Sequence, residues 1–153
     1  MSHDSMSDIV IRPVAANERA QWEPLWRGYL AFYEKSVPEA VTDFTWERLL
    51  DPTNAIEGLM AWEGDAALGL VQYLLHPSTW NRGGNVYLQD LFVVPAARGK
   101  RIGRRLIAAV TEISRAKGAG VLYWQTEEFN GTARRLYERV AKRAPFVRYN
   151  IEL

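Results

Sequence analysis

A short segment near the middle of the chain combines basic side chains with glycines in a way that suits anion binding. Five of the eight residues from Arg98 to Arg105 are Arg or Lys, with two glycines among them. The apolar run 87–94 precedes this segment, and Pro95 ends the run because proline has no N–H to give to a sheet ladder. A helical pattern follows directly. Since the first turn of a helix has unpartnered N–H groups and a partial positive charge, this order of strand, turn and helix predicts a phosphate site.

Other interpretations of the basic segment are weaker. A basic run at a helix start is often only a solvated face. No Gly-Lys-Ser/Thr follows, so it is not a Walker P-loop, and it lacks the G-x-G-x-x-G pattern of a dinucleotide site. A nucleic-acid-binding module is disfavoured because the net charge is only +1 and there is no second basic stripe. For the same reason we expect no nucleic-acid partner. No apolar run approaches the length of a membrane span, so we expect no membrane partner either.

The composition limits the class of protein. A length of 153 residues favours one domain over residues 1–153, and we expect residues 1–7 to be disordered. The chain has no cysteine, which excludes disulfides, thiolate metal sites and a cysteine nucleophile and is compatible with a reducing cytoplasm. The first residues lack the apolar region of a signal peptide, so we expect a cytoplasmic protein. His3 and His76 are too few and too separated for a histidine metal site, and no metal is expected.

The pattern of apolar residues predicts the elements that must position this site. The predicted order is β-α-α-β-β-β-α-β-α-β, with the last strand at 146–152. Three consecutive strands in the middle of the chain predict antiparallel pairing, whereas the strand-helix-strand unit over 87–127 predicts a parallel crossover. The predicted fold class is therefore α/β with a mixed sheet.

Two segments resemble sequence motifs of the GNAT superfamily of N-acetyltransferases. Residues 91–103, LFVVPAARGKRIG, resemble its acetyl-CoA motif Q/R-x-x-G-x-G/A, and residues 130–137, NGTARRLY, resemble its second motif. The chain is similar to the Hpa-type branch of histone and small-amine acetyltransferases in four short sequence segments, YLAFYE, STW, YLQDLFV and YWQTEEFN. The resemblance implies a GNAT-like, mostly antiparallel central sheet with flanking helices. It also implies that acetyl-CoA is the cosubstrate and that a primary amine attacks it directly in a ternary complex.

The resemblance further implies which residues bind acetyl-CoA. The backbone of the glycine-bearing turn would hold the pyrophosphate, and strand residues would hydrogen-bond the pantetheine arm through their main chain. The strands near residues 92 and 124 would splay apart so that the arm can enter between them. The implied set is Phe92, Val93, Val94, Arg98, Gly99, Lys100, Arg101, Ile102, Gly103, Arg104, Asn130, Ala133 and Tyr137.

Arg101 departs from the family pattern, because it stands where the acetyl-CoA motif usually has its first glycine. We expect Arg101 to keep an ordinary helical conformation, since a positive φ would strain a non-glycine residue. Gly99 would then supply the flexibility of the turn. The departure leaves open an alternative function, a non-catalytic domain that senses CoA.

Acetyl transfer to an amine needs a proton acceptor and a proton donor. The resemblance makes Tyr137 the general acid for the departing thiolate. Asp90 is a candidate general base, because alternation places it on the same apolar strand face as Leu88 and Phe92. A carboxylate there should have a raised pKa or a hydrogen-bonded partner. A structural role for Asp90, satisfied by backbone donors, is equally open, and other candidates for the base are Glu34, Glu127, Glu128 and a water chain.

The acceptor amine would be a small amine, a polyamine, an amino acid or a protein lysine. Aromatic and acidic side chains can bind its positive charge, and the many aromatics of the first helix favour a small amine. The candidates are Trp26, Tyr29, Tyr33, Glu34, Tyr73, Trp80, Trp124 and Glu127. Members of the family often dimerise, sometimes through their last strands, and the apolar segment 146–152 permits a homodimer.

Overall fold

A computed structural model of the chain describes residues 8–126 and 131–153. Its helices are α1 (Arg19–Phe32), α2 (Glu39–Leu50), α3 (Ile102–Ala116) and α4 (Gly131–Val140). Its strands are β1 (Ile9–Pro13), β2 (Ile56–Glu63), β3 (Ala66–His76), β4 (Asn85–Val93) and β5 (Val121–Tyr123). No helix among the described residues is long and apolar enough to cross a membrane. The expected disorder of residues 1–7 lies outside the described residues.

The described strands form one sheet in the order β1-β2-β3-β4-β5. The first three pairings are antiparallel and β4 pairs with β5 in parallel, which confirms the mixed, mostly antiparallel sheet. Gly64 and Asp65 join β2 to β3. Gly64 has a φ of 58°, a left-handed conformation that glycine adopts without a steric penalty, so the hairpin turn can be this short.

The sheet separates two apolar cores. On one face α3 presents a stripe at the spacing of a single helix face, and this α3-side core contains Ile102, Leu106, Ile107 and Val110. On the other face α1 and α2 contribute tryptophans, and this α1-side core contains Trp22, Trp26 and Trp46. Strand residues alternate between the two: Leu70 of β3 lies in the α1-side core and Val71 lies in the α3-side core.

A β-bulge in β4 changes which face its side chains occupy. Consecutive residues of β3 pair with Asp90 and Leu88, so Gln89 is an extra residue opposite no residue of β3. Leu88 therefore lies in the α3-side core, whereas Phe92 lies in the α1-side core. The expectation that Asp90 shares a strand face with Leu88 is wrong, because the extra residue reverses the alternation. The bulge turns Asp90 toward the α1 side of the sheet.

Gly28 lets α1 approach β4 closely. A Cβ atom built on Gly28 would lie 2.7 Å from Cζ of Phe92, which is well inside contact distance. A glycine inside a helix costs about 1 kcal/mol relative to alanine, and the close approach gives this one a packing role. It sets the next residue, Tyr29, against the bulged part of β4.

The last predicted strand is not formed. Residues 146–152 lie outside the ladders of the sheet, and their apolar side chains are exposed, Phe146 by 84% and Tyr149 by 91%. The alternation of apolar and polar residues suits a strand, but a strand needs a neighbour to supply its hydrogen bonds. This segment pairs with none of the described strands of its own chain, and the prediction of a strand there is wrong for the single chain.

Candidate active site

β4 and β5 separate and leave a gap in the sheet. Their parallel pairing ends at Tyr87 and Tyr123. β5 stops there, whereas β4 continues to Val93. Among the described residues, β4 has no strand partner on this side from Leu88 onwards. The parallel pairing therefore ends before residues 92 and 124, where the family resemblance implied that the strands splay apart.

The main chain of β4 presents hydrogen-bonding groups to this gap at alternate residues. The N–H of Val94 donates to the carbonyl of Leu68 on β3 over 2.9 Å. Hydrogen-bonded pairs alternate along an antiparallel ladder, so Phe92 also directs its N–H and C=O at β3. Leu91 and Val93 consequently direct theirs into the gap.

This alternation changes the set of strand residues that can meet the pantetheine arm. Phe92 faces β3 with its main chain, and the carbonyl of Val94 already accepts from the N–H of Ala97 over 3.0 Å. The expectation of free main-chain groups at Phe92 and Val94 is therefore wrong. Val93 directs its main-chain groups into the gap and remains a candidate contact for the pantetheine arm. Leu91 does the same and is a further candidate that was not predicted from the sequence.

Two residues of the basic turn have left-handed backbone. Gly99 has a φ of 91°, and Arg101, the residue before α3 begins, has a φ of 59° and a ψ of 24°. The expectation of an ordinary helical conformation at Arg101 is wrong. Glycine reaches the left-handed region freely, whereas another residue loses about 1–2 kcal/mol there. Arg101 thus holds a backbone conformation that glycine would adopt without strain.

The start of α3 presents N–H groups outside the helical ladder. The first helical bond runs from the N–H of Arg105 to the carbonyl of Arg101 over 3.0 Å, so the N–H groups of residues 102–104 precede the ladder. The amides of Arg98 and Lys100 are already used, because they donate to the carbonyls of Pro95 and Ala97 within the turn. Of the main-chain amides expected to bind the pyrophosphate, those of residues 102–104 at the start of α3 are therefore better placed than those of Arg98 and Lys100.

The basic side chains anchor the turn to its surroundings. Nζ of Lys100 lies 3.2 Å from Oε1 of Glu63 on β2, and Nη2 of Arg105 donates to a main-chain carbonyl of β1 over 3.0 Å. Cζ of Arg98 lies 5.6 Å from the ring centroid of Phe32 at the end of α1. These contacts hold the turn against three separate elements, which fixes the direction of its amides.

Asp90 lies in a buried chain of hydrogen bonds on the α1 side. Nε2 of Gln72 donates to Oδ2 of Asp90 over 2.7 Å, and Nε1 of Trp22 donates to Oε1 of Gln72 over 2.8 Å. The phenol of Tyr29 lies near the same carboxylate and interacts with it. Burial raises the pKa of Asp90 above its ordinary value, and the interactions with Gln72 and Tyr29 offset part of that rise. A carboxylate with a raised pKa is a better proton acceptor than an exposed one.

Tyrosines line the α1 side of the gap around this carboxylate. Tyr29 lies on α1 and Tyr33 directly follows that helix, with ring centroids 5.0 Å apart. Tyr87 and Tyr123 are paired across β4 and β5, with ring centroids 4.9 Å apart. Tyr87 lies between two residues of the α3-side core in the sequence, so its side chain points to the α1 side. We call these four tyrosines and Asp90 the tyrosine trough.

Tyr137 approaches the gap from the α3 side. It lies on α4, and its ring packs nearly edge to face against Trp124 with centroids 5.5 Å apart. Burial, with a smaller effect of the nearby Tyr33, raises the pKa of Tyr137 to about 12. Its hydroxyl therefore stays protonated at neutral pH and can donate a proton.

A family model described as the acetyltransferase (GNAT) family matches residues 21–141, a range that includes the gap, the basic turn and Tyr137. The chain belongs to the GNAT acetyltransferase family. The family model matches more than half of the chain, and the GNAT sheet accounts for both the antiparallel strands and the parallel pair.

Relatives and solved structures agree with the family model. The D-amino-acid N-acetyltransferase HPA3 of Saccharomyces cerevisiae is 33% identical over 143 residues, which are 92% of this chain and 89% of the relative. The thialysine N-epsilon-acetyltransferase of Bos taurus is 36% identical over 76 residues, 50% of this chain and 44% of the relative. An integron cassette protein of V. cholerae has the same fold, with a TM-score of 0.80, 22% identity, and coverage of 95% of this chain and 93% of that one. The Hpa-type resemblance is thereby confirmed.

The GNAT enzyme is an N-acetyltransferase that takes its acetyl group from acetyl-CoA and transfers it to an amine. Its own residues fit that cosubstrate. The main chain of Leu91 and Val93 faces the gap, where an extended arm can complete the interrupted sheet. The amides at the start of α3 and the left-handed turn before it suit a pyrophosphate.

The structure removes two aromatic residues from the expected acceptor site of the GNAT enzyme. Trp26 is buried in the α1-side core, where its Nε1 donates to Oγ1 of Thr42 over 3.1 Å. Tyr73 is buried in the α3-side core and bonds Glu57, on the opposite face from Asp90. Both residues were candidates because they are aromatic, and the sequence alone did not show that their side chains are packed in the cores.

The other expected residues have mixed outcomes. Trp80 is 92% exposed in the loop before β4, and Glu34 is an exposed residue just after α1. Ile102 is buried in the α3-side core, so its main chain alone is available to a ligand, whereas Ala133 lies half-buried on α4. Gly103 and Arg104 lie in the first turn of α3 as expected. Asn130, Glu127 and Glu128 lie outside the described residues.

Several residues of the candidate site were not predicted from the sequence. Gln72 is a polar residue that is only 1% exposed within an apolar strand, and that contrast was a signal for a buried partner. Tyr87 and Tyr123 carried no signal of their own, because only the parallel register of β4 and β5 places them side by side. Leu91 was hidden because its contribution comes from the main chain.

Proposed function

We propose that the enzyme acetylates the amino group of a small amino acid that binds in the tyrosine trough, with Asp90 as the general base. The observation that carries this proposal is the position of Asp90. It is a buried carboxylate beside the gap, held by Gln72 and Tyr29 and surrounded by phenol hydroxyls. The comparisons give no support to the alternative of a non-catalytic CoA sensor.

The main chain of the enzyme would hold acetyl-CoA, which supplies the acetyl group as a reactive thioester. Leu91 and Val93 would bind the pantetheine arm, in place of the missing strand pairing. The N–H groups of Ile102, Gly103 and Arg104 would bind the pyrophosphate, since they precede the helical ladder. Asn130 and Ala133 remain proposed contacts from the second motif.

Asp90 and Tyr137 would carry the two proton transfers. Asp90 would take a proton from the amine, because only the neutral amine has a lone pair with which to attack. Tyr137 would give its hydroxyl proton to the departing thiolate, since the raised pKa keeps this hydroxyl protonated at neutral pH. The two groups reach the gap from opposite faces of the sheet, so each can serve one side of the reacting centre.

An amino acid acceptor is favoured by a cation near the trough. Nη1 of Arg148, in the C-terminal segment, donates to Oε1 of Gln125 over 2.6 Å, and its charge lowers the pKa of Tyr87 against the stronger effect of burial. A guanidinium there can bind the carboxylate of an amino acid while the amine faces Asp90. The yeast relative, a D-amino-acid N-acetyltransferase, supports this choice over a polyamine or a protein lysine.

The acceptor class can be tested with a panel of amines and thiol release as the readout. We expect D-amino acids to give the highest kcat/KM, and spermidine and a lysine-containing peptide to give values at least tenfold lower. Arg148→Gln should raise the KM for amino acids about tenfold and leave amines without a carboxylate unchanged. Equal effects of this substitution on both groups of amines would contradict the proposal.

A homodimer is also part of the proposal. The segment 146–153 presents Phe146, Tyr149 and Ile151 with exposures of 84%, 91% and 86%, and it alternates like a strand that lacks a neighbour. A second copy of the chain would cover it. Light scattering on the full chain should give the mass of a dimer, and Tyr149→Asp combined with Ile151→Asp should give a monomer. A wild-type monomer at high concentration would contradict the proposal.

We further propose that one acetyltransferase domain extends over the whole chain and that the enzyme works in the cytoplasm. The lack of cysteine supports this location, because such a chain is compatible with a reducing compartment. Fractionation of cells that express the tagged protein tests it.

A further inference from the structure

A hydrogen bond joins His76 to Tyr123, one of the tyrosines of the trough. Nε2 of His76, at the end of β3, lies 2.7 Å from the hydroxyl oxygen of Tyr123, at the end of β5. Nδ1 of His76 lies 2.8 Å from the carbonyl oxygen of Pro77. Successive side chains of β3 point to opposite faces of the sheet. Since Tyr73 and Leu75 pack in the α3-side core, His76 faces the α1 side, where the trough lies.

The partners of His76 fix which of its nitrogens carries the hydrogen. A carbonyl oxygen only accepts, so Nδ1 must be the donor in the neutral ring. Nε2 then has only a lone pair, and Tyr123 must donate its hydroxyl hydrogen to it. Because a hydroxyl has one hydrogen, the oxygen of Tyr123 can only accept from any further partner.

This assignment gives Tyr123 a defined chemistry at the mouth of the gap. Tyr123 stands where β4 and β5 separate, and its ring lies beside that of Tyr87 in the trough. An amine that donates one N–H to the oxygen of Tyr123 keeps its own lone pair free for attack. A hydroxyl that was free to donate would instead bind that lone pair and block the attack.

We propose that Tyr123, held by His76, binds the acceptor amine as a hydrogen-bond acceptor. The inference rests on the proposed function only in that the amine binds in the trough.

Nitrogen-15 NMR of the imidazole ring tests the hydrogen-bond assignment without any substrate. At about pH 8 we expect the spectrum of His76 to show the tautomer with hydrogen on Nδ1. His76→Gln assigns the signals, because His3 is the other histidine of the chain. A ring with its hydrogen on Nε2 would overturn the inference, whatever the activity of the enzyme.

Kinetics of His76→Gln and His76→Ala test the functional part. The glutamine oxygen can still accept from the hydroxyl of Tyr123, whereas His76→Ala offers that hydroxyl no acceptor. We expect kcat/KM for the amine to fall about tenfold in His76→Ala and to be partly restored in His76→Gln. Equal losses in the two variants would overturn the inference.

Tyr123→Phe is a further variant, and it separates binding of the amine from a structural role. It should lower kcat/KM for the amine about tenfold at about pH 8.5 and leave the Kd for acetyl-CoA, measured by calorimetry, unchanged. A matching loss in acetyl-CoA affinity would mean that Tyr123 only supports the fold and would overturn the inference. A wild-type enzyme inactive with every amine would remove the proposed function together with this inference, whereas an active enzyme whose two His76 variants lose activity equally overturns this inference alone.

Discussion

Nε2 of Gln72 donates to Oδ2 of Asp90 over 2.7 Å, and the two side chains meet because β4 contains one extra residue. Without the bulge at Gln89, Asp90 would follow the alternation of Leu88 into the α3-side core. The bulge instead brings the carboxylate to the face that α1 covers, where Gln72 bonds it and Tyr29 lies near it. A small irregularity of the strand thus sets the position of the proposed general base.

Replacing Gln72 by leucine should move the acid limb of the pH–rate profile to higher pH. The hydrogen bond from Gln72 lowers the pKa of Asp90, so its loss raises that pKa further and keeps the base protonated over a wider range. A hydrogen bond to a charged group contributes about 1.5–3 kcal/mol, which corresponds to a shift of about one pH unit or more in kcat/KM. Trp22→Phe is the matched control, because it removes the donor to Gln72 and leaves the bond to Asp90. An unmoved limb in the leucine variant would show that Gln72 does not act on Asp90.

Asp90→Asn should stabilise the folded protein at alkaline pH. Because burial raises the pKa of Asp90, the folded state holds this proton more tightly than the unfolded chain does. Stability is therefore lost as the pH rises from the ordinary pKa of an aspartate through the raised one. Asparagine keeps an oxygen for Gln72 and never ionises. Thermal unfolding followed by circular dichroism should give a higher Tm than wild type at about pH 8 and an equal Tm below about pH 4. A variant less stable at both pH values would contradict this.

Arg101→Gly should stabilise the protein by about 1 kcal/mol, because glycine reaches the left-handed conformation freely. Arg101→Ala is the matched control, since it removes the same guanidinium but keeps the strain. If the main chain binds the pyrophosphate, the glycine variant should bind acetyl-CoA with the wild-type Kd in a calorimetric titration. A similar loss of affinity in both variants would instead assign the binding to the arginine side chain.

Tyr137→Phe should lower kcat about 100-fold and leave the KM for acetyl-CoA nearly unchanged, because it removes a proton donor and little contact area. Since the pKa of Tyr137 is raised to about 12, this residue should give the wild-type enzyme no alkaline limb within the usual assay range. Tyr149→Phe is the control, as Tyr149 is 91% exposed. A phenylalanine variant at position 137 with full activity would remove Tyr137 from the reaction.

The sequence was sufficient to predict the main elements and the place of the glycine-bearing turn before α3. Each of these depends on local properties: the apolar runs of β2 to β4, the helical stripe of α3, and the glycine-bearing turn between Pro95 and Ile102. The conformation of Arg101 was missed because steric preference is a local rule, and here the surrounding contacts of the turn override it.

The composition of the acceptor site could not be predicted from the sequence because it depends on register. One extra residue in β4 leaves no trace in the apolar pattern, yet it decides the face of Asp90. Trp26 and Tyr123 are both aromatic, but only the packed structure separates a core residue from one that lines the trough. The last strand was mispredicted because a pattern shows that a segment can form a strand and does not supply its neighbour.

The most direct test of the central claim, that Asp90 takes the proton from the amine, is the pH–rate profile of Asp90→Asn beside wild type with a D-amino acid as acceptor. We expect kcat/KM near pH 7 to fall at least 100-fold. The loss should be largest at low pH, where the neutral amine is scarce, and the Kd for acetyl-CoA should stay unchanged. A variant with the wild-type profile and a rate within a factor of about two would contradict the role of Asp90 and leave a water chain as the route for the proton.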